Sequence, residues 1–126
     1  MPLVRVALRQ GKSAGYKQAI GEGIYQAMLE TFAVPKEDRF IVLSEHAETE
    51  FQFSKAYLDI ARSDDLVIIQ ITANNTRTVE QKKAFFARIA ELLSKNPGLR
   101  KEDVFINLVE VPKENWSFGN GITQYA

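Results

Sequence analysis

The sequence contains no cysteine, only one histidine (His46), no excess of either charge and no long apolar run. Without cysteine there can be no disulfide framework, thiolate metal site or cysteine nucleophile, and the compartment stays open because cytosolic proteins do not need the residue. Sixteen basic residues balance sixteen acidic ones, so no long-range field draws the chain to nucleic acid or to an anionic membrane. No stretch approaches the roughly 18 apolar residues that span a bilayer, and Met1-Pro2-Leu3-Val4-Arg5-Val6 lacks the basic and apolar blocks of a signal peptide. These absences predict a cytoplasmic protein with neither nucleic acid nor membrane as partner. Gly11-Lys12-Ser13 looks like the tail of a phosphate loop, but the upstream glycine is absent and Gly21 and Gly23 fall inside a helical pattern. No His/Asp/Glu cluster has metal-ligand spacing, and a lone histidine is more often a loop or core residue than a base. A chain of 126 residues fits one domain that buries roughly two thirds of its unfolded surface.

What is present is a repeat. Lys36-Glu37-Asp38-Arg39-Phe40-Ile41-Val42-Leu43-Ser44-Glu45 matches Lys101-Glu102-Asp103-Val104-Phe105-Ile106-Asn107-Leu108-Val109-Glu110 at seven of ten positions. The same offset pairs Lys17 with Lys82, Ile24 with Ile89, Ser13 with Thr78 and Lys12 with Arg77. Each copy opens on alternating apolar residues, Val4, Val6 and Leu8 or Val67, Ile69 and Ile71, the period of a strand. The fuller run Leu66-Val67-Ile68-Ile69 suggests a central strand buried on both faces. Ser13 and Thr78 then act as helix N-caps, with Thr78-Val79-Glu80-Gln81 forming a capping box. Apolar residues at helical spacing (Ile20, Ile24, Met28; Phe85, Ile89, Leu93) predict helices over 13–33 and 78–96, stopped by Val34-Pro35 and Asn96-Pro97-Gly98.

Strand, helix and strand make a βαβ unit whose right-handed crossover leaves the strands parallel and the helix on one face. The expected fold is therefore α/β (α+β): a duplicated βαβ unit with a four-stranded sheet and two helices on one face. Residues 1–45 form the first unit and 64–110 the second. Residues 46–63 are an insertion whose Phe51, Phe53, Tyr57 and Leu58 suggest a packed helical turn, and 111–126 form a C-terminal loop and tail whose last residues could add a short strand. With Val42 and Ile106 read as inward positions beside equally apolar neighbours, the sheet face away from the helices needs a cover, and subunit association supplies one.

Pro2 is the chemically distinctive residue. If Met1 is removed, Pro2 becomes a secondary amine at the start of a strand, and apolar surroundings disfavour the charged form of such an amine. It could act as a general base or condense with a carbonyl; equally, a proline there could merely begin an edge strand. Asp38 has Asp103 as its repeat mate, so a turn or cap role would explain both. Lys12 and Arg77 both precede helices, where a cation opposes the dipole and suggests a bound anion. Arg39 reads as a solvated cation.

Met1-Pro2-Leu3-Val4, the duplicated unit, Val34-Pro35-Lys36-Glu37-Asp38-Arg39, Arg77-Thr78-Val79-Glu80-Gln81-Lys82-Lys83 and Asn115-Trp116-Ser117-Phe118-Gly119-Asn120-Gly121 together resemble the tautomerase superfamily, and within it the malonate semialdehyde decarboxylase-like group. The resemblance runs over nearly the whole chain. It implies that the amino-terminal proline, here Pro2, is catalytic, that no cofactor is used, and that subunits form trimers with the site near their interface. Carried onto this chain, it makes Asp38 a polar neighbour of Pro2, Arg77 the group that holds a small carboxylate substrate, and Trp116 and Phe118 the pocket wall. The family's decarboxylases place a second arginine where Asn75 stands, so Asn75 would offer weaker hydrogen bonds. The reaction so implied is keto–enol tautomerisation of a small 2-oxo or enol acid, with decarboxylation of a 3-oxo acid such as malonate semialdehyde as the alternative. A βαβ-βαβ pattern also fits ferredoxin-like RNA-binding modules and non-catalytic ligand-binding or structural homologues. Charge neutrality and the lack of paired strand aromatics argue against RNA.

Overall fold

A computed structural model describes residues 2–126. Six elements carry the architecture: β1 (Leu3–Arg9), α1 (Ala14–Thr31), β2 (Ile41–His46), β3 (Val67–Asn74), α2 (Val79–Lys95) and β4 (Val104–Val111). The sheet order is β2-β1-β3-β4. β1 runs parallel to β2 and β3 parallel to β4, while β1 and β3 pair antiparallel and join the two units. This is the duplicated βαβ architecture that the repeat implies.

Local chemistry starts both helices alike. The Ser13 hydroxyl accepts from the Tyr16 N–H at 3.1 Å, and the Thr78 hydroxyl accepts from the Gln81 N–H at 3.1 Å. Gln81 completes its box by accepting the Thr78 N–H at 2.9 Å, so orphan amides at the helix start are satisfied from within the sequence. One repeated ion pair ties each helix to its own unit: Lys17 to Glu45 at 2.7 Å and Lys82 to Glu110 at 2.8 Å.

The core lies between the helices and one sheet face. Val4, Val6 and Leu8 of β1 and Val67, Ile69 and Ile71 of β3 are buried against Ile20, Ile24 and Met28 of α1 and Phe85, Ile89 and Leu93 of α2. Phe32 and Phe85 meet with ring centroids 4.1 Å apart. Gly23 lets the helices approach, since a Cβ there would stand 2.8 Å from Leu93 Cδ2.

Several expectations are corrected. Val42 does not face the helices: with Val4 opposite Ile41 and Val6 opposite Leu43, Ile41 and Leu43 pack on the core and Val42 lies on the open face, 45% exposed. Ile106 does pack on the core. Although β3 is central, it is not buried on both faces, since Ile68 is half-buried and Gln70 exposed. The open face is mixed rather than apolar. Arg5, Gln70 and Asn107 stand in one cross-strand row, with Gln70 donating to Asn107 at 3.2 Å, between rows containing Phe105 and Val109. In the 46–63 insertion only Phe51 is buried, while Tyr57 and Leu58 of its second turn are exposed. The C-terminal residues form turns, not a strand.

Candidate active site

The start of β1 brings Pro2 to one end of the sheet, where it is buried. It lines a cavity of about 200 Å³ with Leu3, Phe40, Trp116, Ser117 and Phe118. Leu3 and Phe40 come from neighbouring strand starts, tied by the Val4 N–H donating to the Phe40 carbonyl at 2.9 Å. Trp116 and Phe118 stack at 5.4 Å with their planes 20° apart. The residues paired by resemblance, Pro2 with Trp116 and Phe118, thus share one predominantly apolar cavity. The fate of Met1 lies outside the described residues.

A turn precedes β2, in which the Asp38 N–H donates to the Pro35 carbonyl at 3.1 Å. Burial pushes the Asp38 carboxyl above its usual value, and the amino-terminal charge and the Arg77 guanidinium pull it back. Arg77 shows the complementary effect: burial lowers its pKa, while Asp38 and Tyr125 act to raise it. The Arg77 guanidinium donates to the Phe32 carbonyl at 2.9 Å and lies over the Phe32 ring, 4.8 Å from its centroid. Asp38 is thus electrostatically coupled to Arg77.

Arg77 lines a second cavity, of about 450 Å³, with Phe32, Ala33, Asn74, Thr76, Gln81, Lys113 and Tyr125. The two cavities share a wall. Trp116, from the first, donates its indole N–H to Asn74 Oδ1, in the second, at 2.8 Å. Phe118 likewise meets Tyr125 edge to face at 5.0 Å. The Phe118 N–H donates to Gln124 Oε1 at 3.0 Å, and the Gln124 amide donates to the Gly119 carbonyl at 3.2 Å, folding the tail back as the support of this wall.

Asn74 is the residue that sequence reasoning missed. It is only 7% exposed, whereas Asn75 is exposed and its backbone N–H donates to the Val111 carbonyl at 3.1 Å. Continuing the β3 alternation two residues past Thr72 would have singled out Asn74 as an amide at a strand end.

The repeat mates have diverged. Asp103 is fully buried and accepts from the Ser63 N–H at 2.7 Å and the Ser63 hydroxyl at 2.6 Å, so it closes the insertion onto the second unit. Lys12 pairs with Asp65 at 2.6 Å; a carboxylate of the chain itself replaces the anion expected beside it. Arg39 pairs with Glu22, and His46 lies near the Phe51 ring, 6.0 Å between centroids.

Two families, each described as tautomerase enzyme, match this chain, one over residues 38–119 and the other over 2–58. In Bacillus subtilis (strain 168), Probable tautomerase YusQ is 42% identical over 98% of both chains, and Probable tautomerase YrdN is 30% identical over 99% of this chain and 96% of its own. Among solved structures, a malonate semialdehyde decarboxylase superposes with a TM-score of 0.92 at 28% identity, covering 98% of this chain and 95% of that one. FG41 malonate semialdehyde decarboxylase, inhibited by 3-bromopropiolate, gives 0.91 at 36% identity, covering 98% and 93%. Family matches that together run from residue 2 to residue 119, full-length relatives and a shared fold establish that this chain is an enzyme of the tautomerase superfamily.

Proposed function

We propose that the chain is a cofactor-independent tautomerase acting on a small 2-oxo or enol carboxylic acid through the amine of Pro2. The observation that carries this reading is the placement of Pro2 in a cavity walled by Phe40, Trp116 and Phe118, with Asp38 electrostatically linked to Arg77. With Met1 removed, the secondary amine sits among apolar groups that disfavour its protonated form and leave it competent as a base near neutral pH. The neutral amine takes the enol hydroxyl proton as the carbonyl forms, then returns a proton to the adjacent carbon as the double bond is lost. Proton count and charge balance, and no cofactor is required. Arg77 orients the carboxylate through charge-assisted hydrogen bonds. Because the wall that Trp116 and Phe118 share with Asn74 and Tyr125 separates the two cavities, substrate would engage both ends only where that wall ends or shifts.

The open face, with Phe40, Val42, Phe105 and Val109 exposed, supports a homo-oligomer, in our reading a trimer, that covers it. A second reaction, decarboxylation of malonate semialdehyde, is favoured by the likeness to the two decarboxylases. There the protonated Pro2 amine would polarise the substrate carbonyl while the carbon–carbon bond to the departing carboxylate breaks, the electron pair passing to the resulting enol.

The test follows phenylenolpyruvate ketonisation and CO2 release from malonate semialdehyde in parallel, using wild type, Pro2→Ala and Arg77→Ala, with intact mass recording whether Met1 is removed. The tautomerase reading expects ketonisation that Pro2→Ala abolishes and Arg77→Ala weakens chiefly through KM. An inert wild type, or a Pro2→Ala protein as active as wild type, would sink it.

A further inference from the structure

We propose that Tyr25 is a positioning residue of the candidate site: from α1 it holds the turn that carries Asp38, and so fixes the carboxylate that acts on Arg77. This deepens the tautomerase reading and rests on it. The Asp38 N–H closes that turn by donating to the Pro35 carbonyl at 3.1 Å. Glu37, the third residue of the turn, has a φ of 75°, the left-handed region that glycine or asparagine normally takes at this place in a type II turn. A glutamate there is strained, so the surrounding structure must hold it. The Tyr25 hydroxyl does so by accepting the Glu37 N–H at 2.9 Å, while the Tyr25 ring packs against the core. On the other side of Asp38, the Arg39 guanidinium lies over the Tyr25 ring, 4.8 Å from its centroid, and pairs with Glu22 of α1. Glu22 and Tyr25 are three residues apart and share one helix face. Both residues that flank Asp38 are thus held by one tyrosine.

The repeat shows that the fold itself does not require this clamp. In the second copy Glu22, Tyr25 and Arg39 correspond to Ala87, Ala90 and Val104. Glu102, the mate of Glu37, keeps a negative φ in the turn Lys101–Asp103, and Asp103 is fixed through its own oxygens by Ser63. The strained turn and the tyrosine that holds it occur together, only around the carboxylate that acts on Arg77.

Tyr25→Phe removes the hydroxyl and keeps the ring beneath Arg39, and Glu37→Gly relieves the strained φ. In phenylenolpyruvate ketonisation by the full-length, assembled protein, Tyr25→Phe should lower kcat about fivefold or more. KM should stay within about twofold, because Arg77 is held separately by the Phe32 carbonyl. Adding Glu37→Gly should restore most of the loss, since glycine adopts this turn unaided, and in an Asp38→Ala background Tyr25→Phe should cost nothing further. An unchanged kcat in Tyr25→Phe, no recovery with Glu37→Gly, or an equal loss in the absence of Asp38 overturns the proposal. NMR titration of the Asp38 carboxyl reads the same placement without turnover. Burial is the largest influence on that group, so Tyr25→Phe should lower its pKa and Glu37→Gly should return it; a titration that Tyr25→Phe leaves unmoved also overturns the proposal. If wild type ketonises no enol, the tautomerase reading fails while the titration still decides the role of Tyr25.

Discussion

Asp38 and Asp103 occupy the same place in the two copies of the repeat, and replacing each with alanine should give opposite phenotypes. Asp103 is fully buried and accepts two short hydrogen bonds from Ser63. A hydrogen bond to a charged group contributes about 1.5–3 kcal/mol. Because Ser63 is only partly buried and would recover water, the lower end applies, so two bonds amount to about 3 kcal/mol. For a chain of this size that corresponds to a fall in Tm of roughly 10 °C. Asp38 differs, because burial opposes its charge and pushes its pKa up. Removing that carboxylate relieves a desolvation cost, so Asp38→Ala should leave Tm level or raised while activity falls at least about tenfold. Differential scanning calorimetry at one fixed protomer concentration, with enol ketonisation on the same preparations, measures both. Equal Tm losses in the two variants, or an unchanged Tm for Asp103→Ala, would refute the division of labour between the two carboxylates.

Two glycines in α1 give a second contrast. A Cβ at Gly21 meets nothing within 4 Å, so Gly21→Ala should gain about 1 kcal/mol from helix propensity. At Gly23 the same methyl meets fully buried Leu93 at 2.8 Å, and an overpacking cost of about 1–3 kcal/mol should outweigh that gain; chemical denaturation of both variants checks the opposite signs. Asn74→Ala removes the acceptor that fixes the Trp116 indole, so tryptophan fluorescence should shift and kcat should fall, and an unmoved emission spectrum would count against the shared wall. The raised pKa of Asp38 carries a definite pH sign: the folded state holds its proton more tightly than the unfolded state. Stability from this group therefore decreases as pH rises from the usual aspartate pKa through the raised one. Wild type should lose ground to Asp38→Ala across that window in thermal melts taken at stepped pH.

Much of the scaffold was legible because its signals are local. Strand alternation, the Ser13 and Thr78 caps and the Gln81 box depend on neighbours a few residues away, and the structure places the helices at Ala14–Thr31 and Val79–Lys95, within two residues of the expected bounds. The repeat then implied parallel pairing inside each unit. Side-chain facing was less legible wherever it depended on register. Val42 was placed on the wrong side of β2 because alternation alone does not say which alternate residues meet the helices, and a shift of one residue exchanges every side chain between faces.

The candidate site shows the same boundary. The sequence singled out Pro2 by its chemistry, and the family resemblance added Asp38, Arg77, Asn75, Trp116 and Phe118. Only the tertiary structure decided that Pro2 shares a cavity with Trp116 and Phe118 while Arg77 opens into the adjoining one, because those walls are assembled from segments distant from one another in the sequence. It also decided that Asn74 accepts the Trp116 indole N–H and that Lys12 is cancelled by Asp65. Propensity and periodicity act along the chain and are written into it. Which two copies of a repeated residue become structural and which face a cavity depends on the antiparallel β1–β3 pairing that joins the units, a long-range contact with no local signature.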